Sequence, residues 1–319
     1  MAVSALWNNM EPVRLLFIIL ILILHMASEK LIEDLLDARA KNSETKIKVL
    51  DALGKLKNKI PENVQDKVVE KILRFSSDPD AKVRCESISI MHDLYNTFSG
   101  EKREEIDERL LELCRDQDSW VLFKVKEAVR KLNLENKAAE RILSLSKSPH
   151  TGRRSKAIEL FKNTRTLIPA DKICEVVKSL SSLCHDERLV VRISAIKQIK
   201  YAEKVPDVVQ EELDNALLNA CSDHNWIVRY GAVRTVCSRR DYFSGGIINK
   251  IFDIFLNLFS DEKWEIRFST IQSVGRMRSI IPDNSKSKIL TKISSMSDDD
   301  NNRIVRESAK KSLERLQKS

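Results

Sequence analysis

The chain has 319 residues, a formal net charge of +8 and a charged fraction of 32%, with only 7 glycines and 7 prolines. So few helix-breaking residues among so many charged ones favour an all-helical protein and leave little room for linkers or low-complexity segments. A chain of this length would ordinarily suggest two domains.

Residues 1–27 form an apolar N-terminal segment. Leu15–Leu24 is a run of ten large apolar residues. As a helix, this run and its neighbours would reach about 20 Å, short of the roughly 30 Å hydrocarbon core of a membrane. Three interpretations stay open: translation begins at Met26, the segment is a signal or membrane anchor, or it is a helix that caps the core. Only a genuine anchor would make the protein membrane-associated.

Residues 28–319 repeat one short pattern. An acidic or small residue is followed five positions later by an apolar residue and then by an arginine. The steps between successive arginine positions are 38, 32, 38, 37, 38 and 39 residues. A fixed period in this range is typical of proteins built from stacked repeats.

Each repeat reads as two helices, A and B, joined by a turn. In one repeat Ala170–Cys184 is predicted as helix A and Val190–Ala202 as helix B, because apolar residues recur at helical spacing. The residue seven after the arginine is apolar in every repeat and should face the core. The residue three after it is small in most repeats, as close helix packing requires.

The acidic residue and the arginine are expected to connect successive repeats. The aspartate lies in the turn before helix B, where it can cap backbone N–H groups, and the guanidinium fork can bridge to the next repeat. This Asp…Val-Arg signature resembles the HEAT-repeat family, in its short PBS-lyase-like variant. The resemblance implies a right-handed α-α superhelix in which these residues form a ladder: Asp78, Arg84, Asp186, Arg192, Asp223, Arg229, Asp261, Arg267, Asp300 and Arg306.

Three places depart from the pattern. Leu122 replaces one arginine and Ser148 replaces one aspartate, so the ladder should be interrupted there. Upstream, a degenerate first repeat has Ile47 and Lys48 at the Val-Arg position. With it the chain would contain about eight helix pairs in one solenoid over residues 28–319.

No residue pattern indicates catalysis, a cofactor or a metal site. Cys114, Cys184 and Cys221 share one repeat position, and stacked repeats would hold them about 8–10 Å apart, too far for a disulfide or a zinc site. We interpret them as buried thiols of a protein from a reducing compartment, the cytoplasm. The sequence contains no His-Glu pair, Walker motif or GxSxG motif.

Three tryptophans recur just before the arginine position. Trp120, Trp226 and Trp264 could stack on nucleobases, but aromatic residues at one repeat position more often pack between neighbouring repeats, and we favour that interpretation.

Charge distribution is the most informative functional signal. The B helices with their flanks carry a formal charge of +16, whereas the rest of the chain carries −8. In HEAT-like solenoids the B helices line the concave surface, so the resemblance implies a basic groove. The cations concentrate in the middle repeats: Arg153, Lys156, Lys162, Lys197, Lys200, Arg234, Arg239 and Arg240.

Such a surface could bind an acidic protein segment or the phosphate backbone of a nucleic acid. The sequence favours a non-catalytic, armadillo-type repeat scaffold that binds an acidic protein partner, with nucleic-acid binding as the alternative. An ordinary solvated helix face remains the structural alternative to both.

Overall fold

The computed structural model describes residues 29–37, 40, 42–202, 205–243 and 245–317. These residues form helices and turns, with no strand among them. Their helices make eight consecutive pairs, so the prediction of an all-α helical-repeat fold with about eight pairs is confirmed. The apolar run Leu15–Leu24 lies outside the described residues. None of the described helices combines the length and apolar character needed to cross a bilayer.

The chain divides into two compact units at Glu135 and Asn136. The first unit contains three helix pairs, and the bounds of its helices are α1 29–37, α2 Ser43–Lys55, α3 Glu62–Phe75, α4 Ala81–Leu94, α5 Gly100–Leu113 and α6 Ser119–Lys131. The expectation of one continuous solenoid over residues 28–319 stays a prediction.

The second unit contains five helix pairs. The bounds of its helices are α7 Glu135–Ser146, α8 Thr151–Thr164, α9 Ala170–Leu183, α10 Leu189–Ile199, α11 Asp207–Cys221, α12 Trp226–Ser238, α13 Gly245–Leu258, α14 Trp264–Arg276, α15 Asp283–Asp299 and α16 Arg303–Gln317. In both units the odd-numbered helices are the A helices and the even-numbered ones are the B helices.

Local sequence explains where the helices begin. Four A helices start directly after a proline, whose fixed φ suits this position: Pro61, Pro169, Pro206 and Pro282. Several B helices start after a side chain that accepts a hydrogen bond from a first-turn N–H group, namely Asn42, Asp80, Asp118 and Asn225.

Within each unit, B helices pack on the B helices of the next repeat, and A helices pack likewise between α3 and α5 and from α9 through α15. The small residues three positions after the arginine are buried where B helices meet, as Ala157, Ala195 and Ala232 show. The apolar residues seven positions after it are also buried, except that Leu313 in the last helix is half-buried. Gly54 allows a close approach of α2 to α4, because a Cβ there would lie 2.6 Å from Ile90 Cδ1.

Candidate binding surface

A buried arginine–aspartate fork joins successive repeats and sets the register of the B helices. Arg229 donates from Nε and Nη2 to the two carboxylate oxygens of Asp261 at 2.8 and 2.9 Å. Its Nη1 donates to the Asp223 and His224 carbonyls in the turn before its own helix. Asp261 in turn accepts from the Lys263 N–H at 2.9 Å. One arginine therefore ties its own turn to that of the next repeat.

The same arrangement recurs in both units. In the second unit the ion pairs are Arg154–Asp186, Arg192–Asp223, Arg229–Asp261 and Arg267–Asp300. In the first unit Arg84 forms a two-bond fork with Asp116 at 2.7 and 2.8 Å. The last arginine, Arg306, donates to the Asp300 carbonyl of its own turn.

The first repeat corrects one sequence interpretation. Lys46 occupies the place of the arginine and contacts Asp78 at 2.5 Å. Lys48, which was predicted there, pairs instead with Glu44 on the exposed side of α2. The register differs by two residues because only the Lys46 alignment buries Val49, Leu50 and Leu53.

Two of the forks lower the pKa of their carboxylate, those of Asp116 and Asp300. Burial opposes ionisation of Asp116, but hydrogen bonds from Arg84 and from the Asp118 N–H outweigh it and lower its pKa. The same balance lowers the pKa of Asp300 beside Arg267. These pairs therefore stay ionised at neutral pH and below it.

Seven of the eight cations predicted for the basic surface are exposed on B helices of the second unit or in the turns after them. We call this set the basic face, and it consists of Arg153, Lys156, Lys162, Lys197, Lys200, Arg234 and Arg240.

Arg239 is the exception, and its predicted place on this face is wrong. Its side chain is 0% exposed. Nη1 donates to the Ile199 and Ala202 carbonyls at 3.0 and 2.6 Å, and Nη2 donates to Gln210 Oε1 at 2.9 Å. Arg239 thus satisfies backbone groups at the end of α10, a structural task that its position in the sequence does not reveal.

A cluster that the sequence analysis missed adjoins the basic face at Lys200. The guanidinium carbon of Arg165 lies 4.4 Å from the Tyr201 ring centre, and Lys200 Nζ lies 4.5 Å from it. A hydrogen bond with Lys200 is the largest cause of a lowered Tyr201 pKa, and the charges of Arg165 and Lys162 act in the same direction. The sequence signal was present, since Arg165 and Lys200 directly follow the ends of consecutive B helices.

Exposed apolar side chains accompany the cations on the B helices. Val190, Ile227 and Trp120 are each the second residue of a B helix, and they are 58%, 38% and 59% exposed. The interpretation that Trp120 packs between repeats is wrong, because its ring stacks on the exposed Phe123 at 5.2 Å. Trp226 and Trp264 are half-buried.

The A helix α5 of the first unit has a charge opposite to that of the basic face. A shallow cleft of about 460 Å³ lies against α5 and is lined mainly by Glu101, Glu104, Glu105, Glu108 and Glu112. The carboxylates of this cleft repel acidic ligands, so α5 and the basic face favour different partners.

Nucleophiles and metal ligands are not assembled in the part of the chain that the structure describes. No group of three or more histidine, cysteine or carboxylate side chains there could hold a metal ion. All six cysteines are thiols, and burial raises the pKa of the Cys114 and Cys221 thiols to about 12. Such thiols are protonated and unreactive at neutral pH.

No family model matches the chain, and no curated protein matches it. Among solved structures, a designed armadillo repeat protein in complex with the peptide (KR)4 is 14% identical, with a TM-score of 0.47, over 78% of this chain and 99% of that one. An engineered protein from a structural genomics consortium is 14% identical, with a TM-score of 0.46, over 91% of this chain and 88% of that one. The fold assignment therefore rests on the helix pairs of this chain itself.

Proposed function

We propose that the chain is a non-catalytic HEAT-type repeat scaffold whose basic face binds an acidic segment of a protein partner. The forks support the HEAT assignment among helical repeats, because each ladder arginine reaches the turn of its own repeat and the aspartate of the next, as at Arg229. The arginines of the ladder are engaged in its ion pairs, and none of them belongs to the basic face.

The observation that carries the binding proposal is the exposure of seven cations on three successive B helices and the turns after them. An acidic segment that crosses these helices would meet cations from each of them in turn. Complementary charge of this kind speeds encounter and sets partner preference, and salt weakens it. The free cysteines fit a reducing compartment, and we propose a cytoplasmic location.

The test is fluorescence anisotropy with a labelled poly-glutamate peptide and a labelled DNA duplex, each at two salt concentrations. The double variant Lys197→Glu with Arg234→Glu should weaken peptide binding about tenfold, since it places carboxylates opposite carboxylates. The control is Lys250→Glu with Lys288→Glu, which makes the same charge change at exposed positions of α13 and α15.

Each outcome has one meaning. Equal effects of the two double variants would refute a specific basic face. Tighter binding of the duplex, with a steep salt dependence, would instead favour the nucleic-acid alternative.

A further inference from the structure

The B helices of the second unit expose apolar side chains at a fixed repeat position. Nine large apolar side chains are exposed in the described parts of the whole chain. Four of these nine are the second residue of a B helix: Trp120, Val190, Ile227 and Ile304. Scattered exposed apolar residues need no explanation, but recurrence at one position of a repeat does.

In the second unit these residues begin a continuous apolar strip. One turn further along the helices lie Ile193 on α10, Tyr230 on α12 and Phe268 on α14, all half-buried. Since α10, α12 and α14 pack side by side, Val190, Ile193, Ile227, Tyr230 and Phe268 form one surface, which we call the apolar row. Val190 and Ile227 are exposed and the other three side chains are half-buried, so the row presents an accessible apolar surface.

The apolar row borders the basic face directly. On α10, Lys197 follows Ile193 by four residues and Val190 by seven, so all three share one side of the helix. On α12, Arg234 Nη1 lies 3.0 Å from the Tyr230 hydroxyl, which joins the two surfaces by contact. A ligand that covers one surface therefore also reaches the other.

We infer that the ligand of this surface is a polypeptide segment that carries large apolar side chains beside its acidic ones. This inference rests on the proposed function and names its partner class more narrowly. Apolar side chains of a bound segment would be buried against the apolar row. Their burial contributes affinity that salt does not screen. The exposed side chains of the row, Val190 and Ile227, are aliphatic, and the rings of Tyr230 and Phe268 are half-buried, so the row favours apolar peptide side chains over stacked bases.

The test compares three labelled peptides of equal length by anisotropy. The first mixes glutamate and aspartate with leucine and phenylalanine. In the second, serine replaces each apolar residue. In the third, glutamine and asparagine replace the acidic residues. We expect the first to bind at least about fivefold more tightly than either of the others, because each of the others lacks one of the two interactions.

Variants of the protein test whether the preference for the first peptide depends on the apolar row. Val190→Ser with Ile227→Ser should weaken binding of the first peptide about fivefold and leave binding of the serine peptide unchanged. Val208→Ser is the matched control, because Val208 is 67% exposed in the first turn of an A helix, α11. All three positions are exposed, so the melting temperatures should stay within the error of the wild type.

The outcomes separate this inference from the proposed function. If the serine peptide binds as tightly as the apolar one, or if the Val190 and Ile227 variant binds normally, the inference is wrong while the acidic partner stands. If the glutamine and asparagine peptide binds as tightly as the first, the proposed function itself fails. Tighter binding to vesicles of phosphatidylserine and phosphatidylcholine, lost in the same variant, would replace the peptide with a lipid surface.

Discussion

Arg229 shows how one side chain can connect two repeats. Its side chain is only 11% exposed, and its guanidinium makes four hydrogen bonds, two to the next repeat and two to its own turn. A buried ion pair is not in itself strong evidence of stability, because both charges lose hydration. Removing one partner is costly, however, since the other charge stays buried without compensation.

Arg229→Ala should therefore lower the free energy of unfolding by about 3 kcal/mol, measured by urea denaturation. Arg234→Ala, on the same helix, removes an exposed arginine and should change it by no more than about 0.5 kcal/mol. A loss at Arg229 no larger than that at Arg234 would show that the fork does not hold the repeats together.

Sequence alone predicted the ladder residues because identical chemistry recurs at a fixed spacing. It misplaced the first repeat, where Lys46 replaces the arginine, because Thr45 rather than an apolar residue precedes Lys46, although Lys46 lies 38 residues before Arg84, as the repeat period requires. It misjudged Trp120 for a different reason. Periodicity identifies the repeat position of a residue, but whether a neighbour covers that position depends on packing, and Trp120 is exposed.

At the scale of elements, Arg239 connects α10, α11 and α12. It donates to carbonyls at the end of α10 and to Gln210 on α11. Gln210 Nε2 in turn donates to the buried Asp214 at 2.6 Å. The ladder spacing does not predict this network, because the equivalents of Asp214 are Val177 and Phe252 in the neighbouring repeats and Asp107 in the first unit. The charge of Arg239 alone suggested a surface position.

Asp214 makes the stability contributed by this network of Arg239, Gln210 and Asp214 dependent on pH. Burial raises the pKa of Asp214 to about 6, against smaller opposing effects of Gln210 and Arg239. Its pKa in the unfolded chain is about 3.9. The folded state thus holds the proton more tightly, and the contribution of Asp214 to stability is lost as pH rises from about 4 through about 6.

Asp214→Asn should therefore raise the free energy of unfolding at pH 7 by about 2 kcal/mol and change it little near pH 4. The measurement is urea denaturation across this pH range. Asp253→Asn, at an exposed position on α13, is the control and should show no such pH-dependent difference. If Asp214→Asn destabilises the protein at pH 7, the carboxylate instead acts as a needed counter-charge for Arg239.

At the scale of the whole molecule, the boundary between the two compact units coincides with the interruption in the ladder. The boundary lies at Glu135 and Asn136, between Leu122 and Ser148, which replace the arginine and the aspartate. Leucine and serine cannot form an ion pair. The sequence therefore indicated where the ladder is interrupted, although composition and repeat period alone gave no reason to divide the chain.

In repeat proteins each repeat contacts only its neighbours, so stability accumulates from repeat to repeat and a part of the array can fold alone. The second unit has five helix pairs and four arginine–aspartate pairs. The fragment 136–319 should consequently show a helical circular dichroism spectrum and a cooperative thermal transition. A fragment that begins at Thr151 lacks α7, whose Ala138, Ala139 and Ile142 are buried, so it should melt at a lower temperature. An unfolded spectrum for fragment 136–319 would contradict the division at Glu135, since the second unit would then depend on residues before it.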